Sequence, residues 1–260
     1  MSQIAESKTS FASAAHEVAE ATSVLQGETL RPNMLAGPAP EALRPRQDDS
    51  LFERFPWVYV FFRERCFRDD TARIIRILWG NGQPSADTRM IELGCGPGFY
   101  SCQIAARFPQ ISVTGVDCSA RQLAWAERKA RRYGLQNCCF ETDNVLDLSH
   151  QDESFDIILA ARLFTVLPNQ AQAISEMHRI LRPGGRCVIA EPRYAFWASL
   201  PLLAMWMLAR LTGRKGRCRE PGQATVFSSK AFTSLFNSQP WAQIKTWHDG
   251  RYQYALCEKQ

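Results

Sequence analysis

Short apolar runs alternate with longer amphipathic stretches along this chain. Met90-Ile91 with Leu93, Val113–Val116, Cys139-Phe140, Phe155–Ala160 and Arg186–Glu191 read as strands. Brief apolar runs bounded by turn residues suit strands buried on both faces. Between them apolar residues return every three or four positions. Ile74, Ile75 and Leu78 mark one helix, started by Asp70 or Thr71. A second runs from Phe99 to about Phe108 and stops before Pro109. A third runs from Ser119 to about Tyr133 and ends at Gly134. A fourth starts at Asn169 and turns Ala173, Ile174, Met177 and Leu181 inward. Ser228 or Ser229 caps a short helix carrying Phe232, Leu235 and Phe236. Gln243–Trp247 and Arg251–Glu258 flank His248-Asp249-Gly250, a hairpin signal. Strands alternating with helices predict an α/β fold around a mainly parallel sheet.

The strand ends carry the candidate chemistry. Residues 92–98 read Glu-Leu-Gly-Cys-Gly-Pro-Gly, a turn lacking side chains that brings backbone close to a ligand at the carboxyl end of the first strand. The third glycine of the dinucleotide fingerprint is absent, as is the Gly-Lys-Ser/Thr of a phosphate-binding loop. A ligand without a polyphosphate is therefore expected. Asp117 ends the second strand, placed to accept from ribose hydroxyls or simply to cap a helix. Asp143 ends the third, where a carboxylate can accept from an exocyclic amine such as adenine N6. Cys95 reads as a small packing residue.

These elements, with Ser154-Phe155-Asp156-Ile157-Ile158 and Leu181-Arg182-Pro183-Gly184-Gly185, resemble the class I S-adenosylmethionine-dependent methyltransferases. The likeness is to the small-molecule branch with quinone-biosynthesis and sterol-type enzymes, and covers roughly residues 70–192. It implies a Rossmann-like seven-stranded sheet, mostly parallel with a reversed C-terminal strand, and helices on both faces. It also implies roles. Glu92 would approach the methionine amino group; Gly94, Gly96 and Gly98 would border methionine and ribose. Asp117 would take the ribose hydroxyls, and Asp143 the adenine amine beside the Asn144 and Val145 backbone. Cys118 would sit on the adenine face, and Arg162 near the methionine end. If the acceptor needs a base, Tyr100 and Glu191 are the expected catalytic pair. The turn Ala160-Ala161-Arg162-Leu163 lacks the Pro-Pro-aromatic sequence of relatives that methylate nucleobase amines or glutamine amides.

Composition bounds the rest. A chain of 260 residues, 45% hydrophobic, holds one such domain with trimmings. A net charge of +5 is too mild to demand nucleic acid. Nine cysteines are irregularly spaced without a C-x-x-C pair, so free thiols in a reducing compartment are expected, with no metal site and a cytoplasmic location. The vicinal Cys138-Cys139 points to packing. Residues 1–50, rich in Ala, Ser, Glu and Pro, read as a disordered or loosely docked extension without a secretory signal. The resemblance implies that residues 51–260 form a single methyltransferase domain. Within it, residues 51–69 supply Trp57, Tyr59, Phe61 and Phe62 as an apolar lid or as padding of the core edge.

Residues 194–227 form an inserted cap. It begins with the apolar run 194–211, too short to span a membrane, and continues into Arg214, Lys215, Arg217 and Arg219. Residues 194–219 suit either a substrate lid or peripheral contact with an anionic membrane surface. Both readings imply a small hydrophobic, aromatic or lipid-like acceptor. Activity does not require a His–Asp pair, because methyl transfer from a sulfonium depends on in-line positioning and desolvation. The functions to be separated are a small-molecule methyltransferase, a membrane-surface lipid methyltransferase and a catalytically degenerate cofactor-binding partner.

Overall fold

The runs Met90–Leu93, Ile157–Ala160 and Cys187–Pro192 are buried on both faces, and this fixes how the elements stack. A computed structural model of the protein describes residues 50–80, 82–212 and 224–260. The extension over residues 1–49 lies outside the described residues. So do Cys218 and the basic residues Arg214, Lys215, Arg217 and Arg219.

The elements in chain order are α1 (Leu51–Arg54), α2 (Pro56–Arg65), α3 (Thr71–Trp79), β1 (Arg89–Leu93), α4 (Phe99–Arg107), β2 (Ser112–Asp117), α5 (Ala120–Arg132), β3 (Cys138–Thr142), β4 (Phe155–Ala161), α6 (Gln170–Ile180), β5 (Leu181–Pro192), α7 (Ala195–Leu211), α8 (Ser229–Ser234), a 3₁₀ turn (Leu235–Ser238), β6 (Trp241–His248) and β7 (Tyr252–Lys259). They build a seven-stranded sheet of order β3-β2-β1-β4-β5-β7-β6. Strands β1 to β5 run parallel, β7 is antiparallel to β5, and β6 is antiparallel to β7.

Alternation along the strands feeds two cores. Met90, Ile157, Leu159 and Val188 meet Ile74 and Leu78 of α3 and Ile104 of α4 on one face. Ile91, Leu93, Ile158, Ala160 and Ile189 meet Ala173, Ile174 and Met177 of α6 and Phe232 and Phe236 on the other. A third apolar cluster lies off the sheet. Leu51 and Val58 pack there with Ala198, Leu202, Met205 and Ala209 of α7. Residues 51–62 and the helix α7, far apart in sequence, thus pack against each other.

Three local details differ from the sequence reading. The helix α3 is capped by Asp69, whose Oδ1 accepts from Thr71 N at 2.9 Å. Asp70 instead pairs with Arg68 at 2.7 Å, since a carboxylate between two arginines finds a stronger partner than a backbone N–H. Strand β5 begins at Leu181, and the register shift between Phe155 and Ile157 absorbs the Arg182–Gly185 turn. The basic face of α5 is not wholly solvated. Lys129 pairs with Glu64 at 2.7 Å and Arg121 with Glu53 at 3.5 Å, tying α5 to α1 and α2.

Candidate active site

The site grows from the carboxyl ends of β1, β2 and β4. Beyond Leu93 the chain turns through Gly94, Gly96 and Gly98, all at positive φ. Two of these positions show why side chains are excluded. A Cβ on Gly96 would lie 3.2 Å from the Tyr59 ring at φ +53°. One on Gly98 would lie 2.8 Å from Ala126 Cβ and 2.9 Å from Phe140. Gly96 therefore keeps a cavity surface low, whereas Gly98 lets α4 pack on its neighbours.

Asp117 ties this turn to the tip of β2. Its Oδ2 accepts from Gly96 N at 2.9 Å and its Oδ1 from Ser119 N at 2.9 Å. Burial raises its pKa, and the two N–H donors oppose that shift. Ser119 in turn caps α5 by accepting from Gln122 N at 3.2 Å. The Asp143 carboxylate holds the next loop, accepting from Asn144 N at 2.8 Å and Ser149 N at 3.0 Å.

A cavity of about 660 Å³ opens along these ends. Gly94, Gly96, Asp117, Cys118, Asp143, Asn144, Val145 and Arg162 all line it. Apolar lining comes from Phe52 and Tyr59, from Leu163, Val166 and Leu167 after β4, and from Ala198, Pro201 and Leu202 of α7, with Thr165, Gln170 and Thr225 among them. Eight of the ten residues expected around the cofactor thus share one cavity.

The remaining two sit behind it. Gly98 is buried. Glu92 is 3% exposed and accepts from Ser101 N at 2.7 Å and from the Ser101 hydroxyl. It caps α4 from within, and burial pushes its pKa to about 7.

The expected catalytic pair does not come together at the cavity. Tyr100 is buried in the α3–α4 core. Its hydroxyl pKa is raised, first by burial, which makes ionisation harder. Glu191 is fully buried, and its Oε1 accepts from Leu163 N and Phe164 N, each at 2.8 Å. Burial pushes its carboxyl to about 7. Glu191 is a positioning residue for the turn after β4, and Tyr100 is a packing residue.

That turn holds Arg162 at φ +61°, a conformation non-glycine residues keep only when their surroundings impose it. Arg162 N donates to Ala190 O at 2.8 Å, and Nη1 donates to the Tyr252 hydroxyl at 2.7 Å. Its guanidinium lies 3.5 Å over the Phe67 ring. Of the aromatic residues read as a lid, Tyr59 faces the cavity. Trp57 and Phe61 project into solvent, one turn apart on α2.

The donor set fits an adenosyl amino acid: a carboxylate at the tip of β2, a second after β3, and glycine backbone lining the cavity at Gly94 and Gly96. No group of three or more His, Cys, Asp or Glu that could hold a metal occurs among the described residues.

Comparison with known proteins gives the family. Residues 84–237 match a family model described as a methyltransferase domain. A trans-aconitate 2-methyltransferase of Deinococcus radiodurans is 36% identical over 115 residues, 44% of this chain and 42% of that protein. A demethylmenaquinone methyltransferase of Thermus thermophilus is 35% identical over 115 residues, 43% of this chain and 52% of that one. The chain therefore spans about half the length of these curated relatives. Among solved structures, a protein of Thermotoga maritima titled as a possible histamine N-methyltransferase superposes with a TM-score of 0.57 at 19% identity. It covers 81% of this chain and 99% of that one, and shares the fold.

Proposed function

The chain belongs to this methyltransferase-domain family, whose cofactor is S-adenosylmethionine, and on that premise we propose that it methylates a small hydrophobic, aromatic or lipid-like acceptor. One observation carries the acceptor class: Val166 and Leu167, after β4, and Ala198, Pro201 and Leu202 of α7 give the cavity an apolar part.

S-adenosylmethionine supplies, when bound, a methyl group already activated on a sulfonium. The chain's own residues then bind, orient and exclude water. Gly94 and Gly96 give close approach of backbone, Asp117 accepts from ribose hydroxyls, and Asp143 with the Asn144 and Val145 backbone flanks the base. The apolar cap removes water from around the reacting centre, so fixed dipoles and charges act more strongly there than in solvent. Arg162 stands in the wall as a cation held by Tyr252 and Phe67. It would stand near the methionine end of the cofactor. Methyl transfer from a sulfonium depends on positioning of the nucleophile more than on its deprotonation.

Turnover with a labelled methyl donor against lipid-soluble extracts tests this reading. Label in an organic-extractable product supports it. Label only in water-soluble acceptors would overturn the acceptor class. Cofactor binding without any turnover would point to a degenerate binding protein.

A second reading, peripheral contact with a membrane, rests on the outer side of α7. Phe196, Leu203, Met207 and Leu211 are exposed there. Among the described residues no helix is long and apolar enough to cross a membrane. Co-sedimentation with anionic vesicles, lost in Leu203→Ser/Met207→Ser, is the expected result if this face docks.

A further inference from the structure

The Asp143 carboxylate is nearly saturated by its own loop. Its Oδ1 accepts from Asn144 N at 2.8 Å and from the Ser149 hydroxyl at 3.2 Å. A carboxylate oxygen offers about two lone-pair sites, so Oδ1 is full. Oδ2 accepts from Ser149 N at 3.0 Å and keeps about one site open. His150 stands at that site. Its Nε2 lies 3.9 Å from Asp143 Oδ2 and 3.6 Å from Glu141 Oε2. Nε2 is buried and has no hydrogen-bond partner among the described residues. The imidazole packs edge to face on Phe155, with ring centres 5.0 Å apart. The remaining charge nearby belongs to Arg179 of α6. It donates to the His150 carbonyl at 2.7 Å and is itself paired with Asp152 and Glu176.

An imidazole that gains a proton carries a donor on both ring nitrogens, a change that falls between about pH 8 and pH 5. Protonated, Nε2 is a charged donor between two carboxylates. Half of the Glu141 side chain is exposed and screened by water, against 8% of the Asp143 side chain, so the pull toward Asp143 is the stronger. Asp143 also lines the cavity. A ligand amine that donates to Oδ2 therefore competes with the imidazolium for one lone pair. We propose that His150 is a positioning residue for Asp143: neutral, it leaves Oδ2 to the adenine amine of the cofactor, and protonated, it takes that oxygen. This rests on the reading that the cavity holds S-adenosylmethionine with its base at Asp143.

Calorimetric titration of the whole protein with S-adenosylhomocysteine, from about pH 5 to about pH 8, separates the two claims. Ligand and proton exclude each other, so wild type should gain about threefold to tenfold in affinity toward the alkaline end, relative to the His150 variants. Those variants are His150→Phe, which keeps a ring against Phe155, and His150→Gln, which guards against a folding defect in the first. Subtracting their pH response from that of wild type cancels other titrating groups, Glu92 and Glu191 among them. Glu141→Gln should keep the wild-type response. No difference between wild type and the two His150 variants, a difference of opposite sign, or its loss in Glu141→Gln overturns the His150 assignment. Wild type that binds no S-adenosylhomocysteine at any pH overturns the cofactor reading itself.

Discussion

At the residue scale the site depends on one carboxylate and one missing side chain. Asp117 links the Gly96 amide to the Ser119 amide while facing the cavity. Asp117→Ala should weaken S-adenosylmethionine binding several-fold to a hundredfold, on the order of 1–3 kcal/mol for a charged hydrogen bond. Unchanged calorimetric affinity in the folded variant would remove Asp117 from the site. Gly96→Val should abolish binding: φ of +53° disfavours a β-branched residue, and the added carbon meets Tyr59. Retained binding would show that the turn is not the cavity floor. Both residues were legible in the sequence because their signals are local, a glycine spacing and an acidic strand end. That Tyr59 would stand against Gly96 was not, because that contact joins two segments distant in sequence.

At the element scale the turn after β4 is the sensitive piece. Glu191, from β5, satisfies the Leu163 and Phe164 amides. Removing that acceptor leaves two buried donors, each costing roughly 1–3 kcal/mol. Glu191→Ala should therefore lower the unfolding free energy in urea and also weaken cofactor binding, since Arg162 and Leu163 line the cavity. Loss of stability with full affinity would show that the turn is held by other contacts. Strand and helix existence was readable here because each element has a clear period and a turn signal. The partnership of residues 51–65 with α7 was not, because apolar faces state that they will be buried but not against what. The same blindness hid the pairing of the α5 basic face with Glu53 and Glu64. Asp69 and Asp70 are adjacent alternatives for one cap, and only the placement of Arg68 and Arg73 decides between them.

For the whole molecule, the two buried carboxyls Glu92 and Glu191 connect the site to stability. Burial raises both to about 7 from an ordinary value of 4.5. Between those values the folded protein binds protons that the unfolded chain has released. Their contribution is thus full below about pH 4.5 and is lost as pH rises through about 7. Burial also lowers the His178 pKa, and that acts with the opposite sign below its ordinary 6.5. A comparison of variants cancels it. In Glu191→Gln the amide oxygen still accepts from Leu163 and Phe164, while the NH₂ falls where Oε2 has no partner, a cost that does not vary with pH. Relative to wild type the variant should gain stability steadily from pH 5 to pH 8, by on the order of 1–3 kcal/mol in total. Chemical denaturation of the ligand-free protein at several pH values measures this. A gap between variant and wild type that stays constant across the range would mean that Glu191 is already ionised in the fold. The two N–H donors would then outweigh its burial, and the turn that holds Arg162 would rest on a charged hydrogen bond.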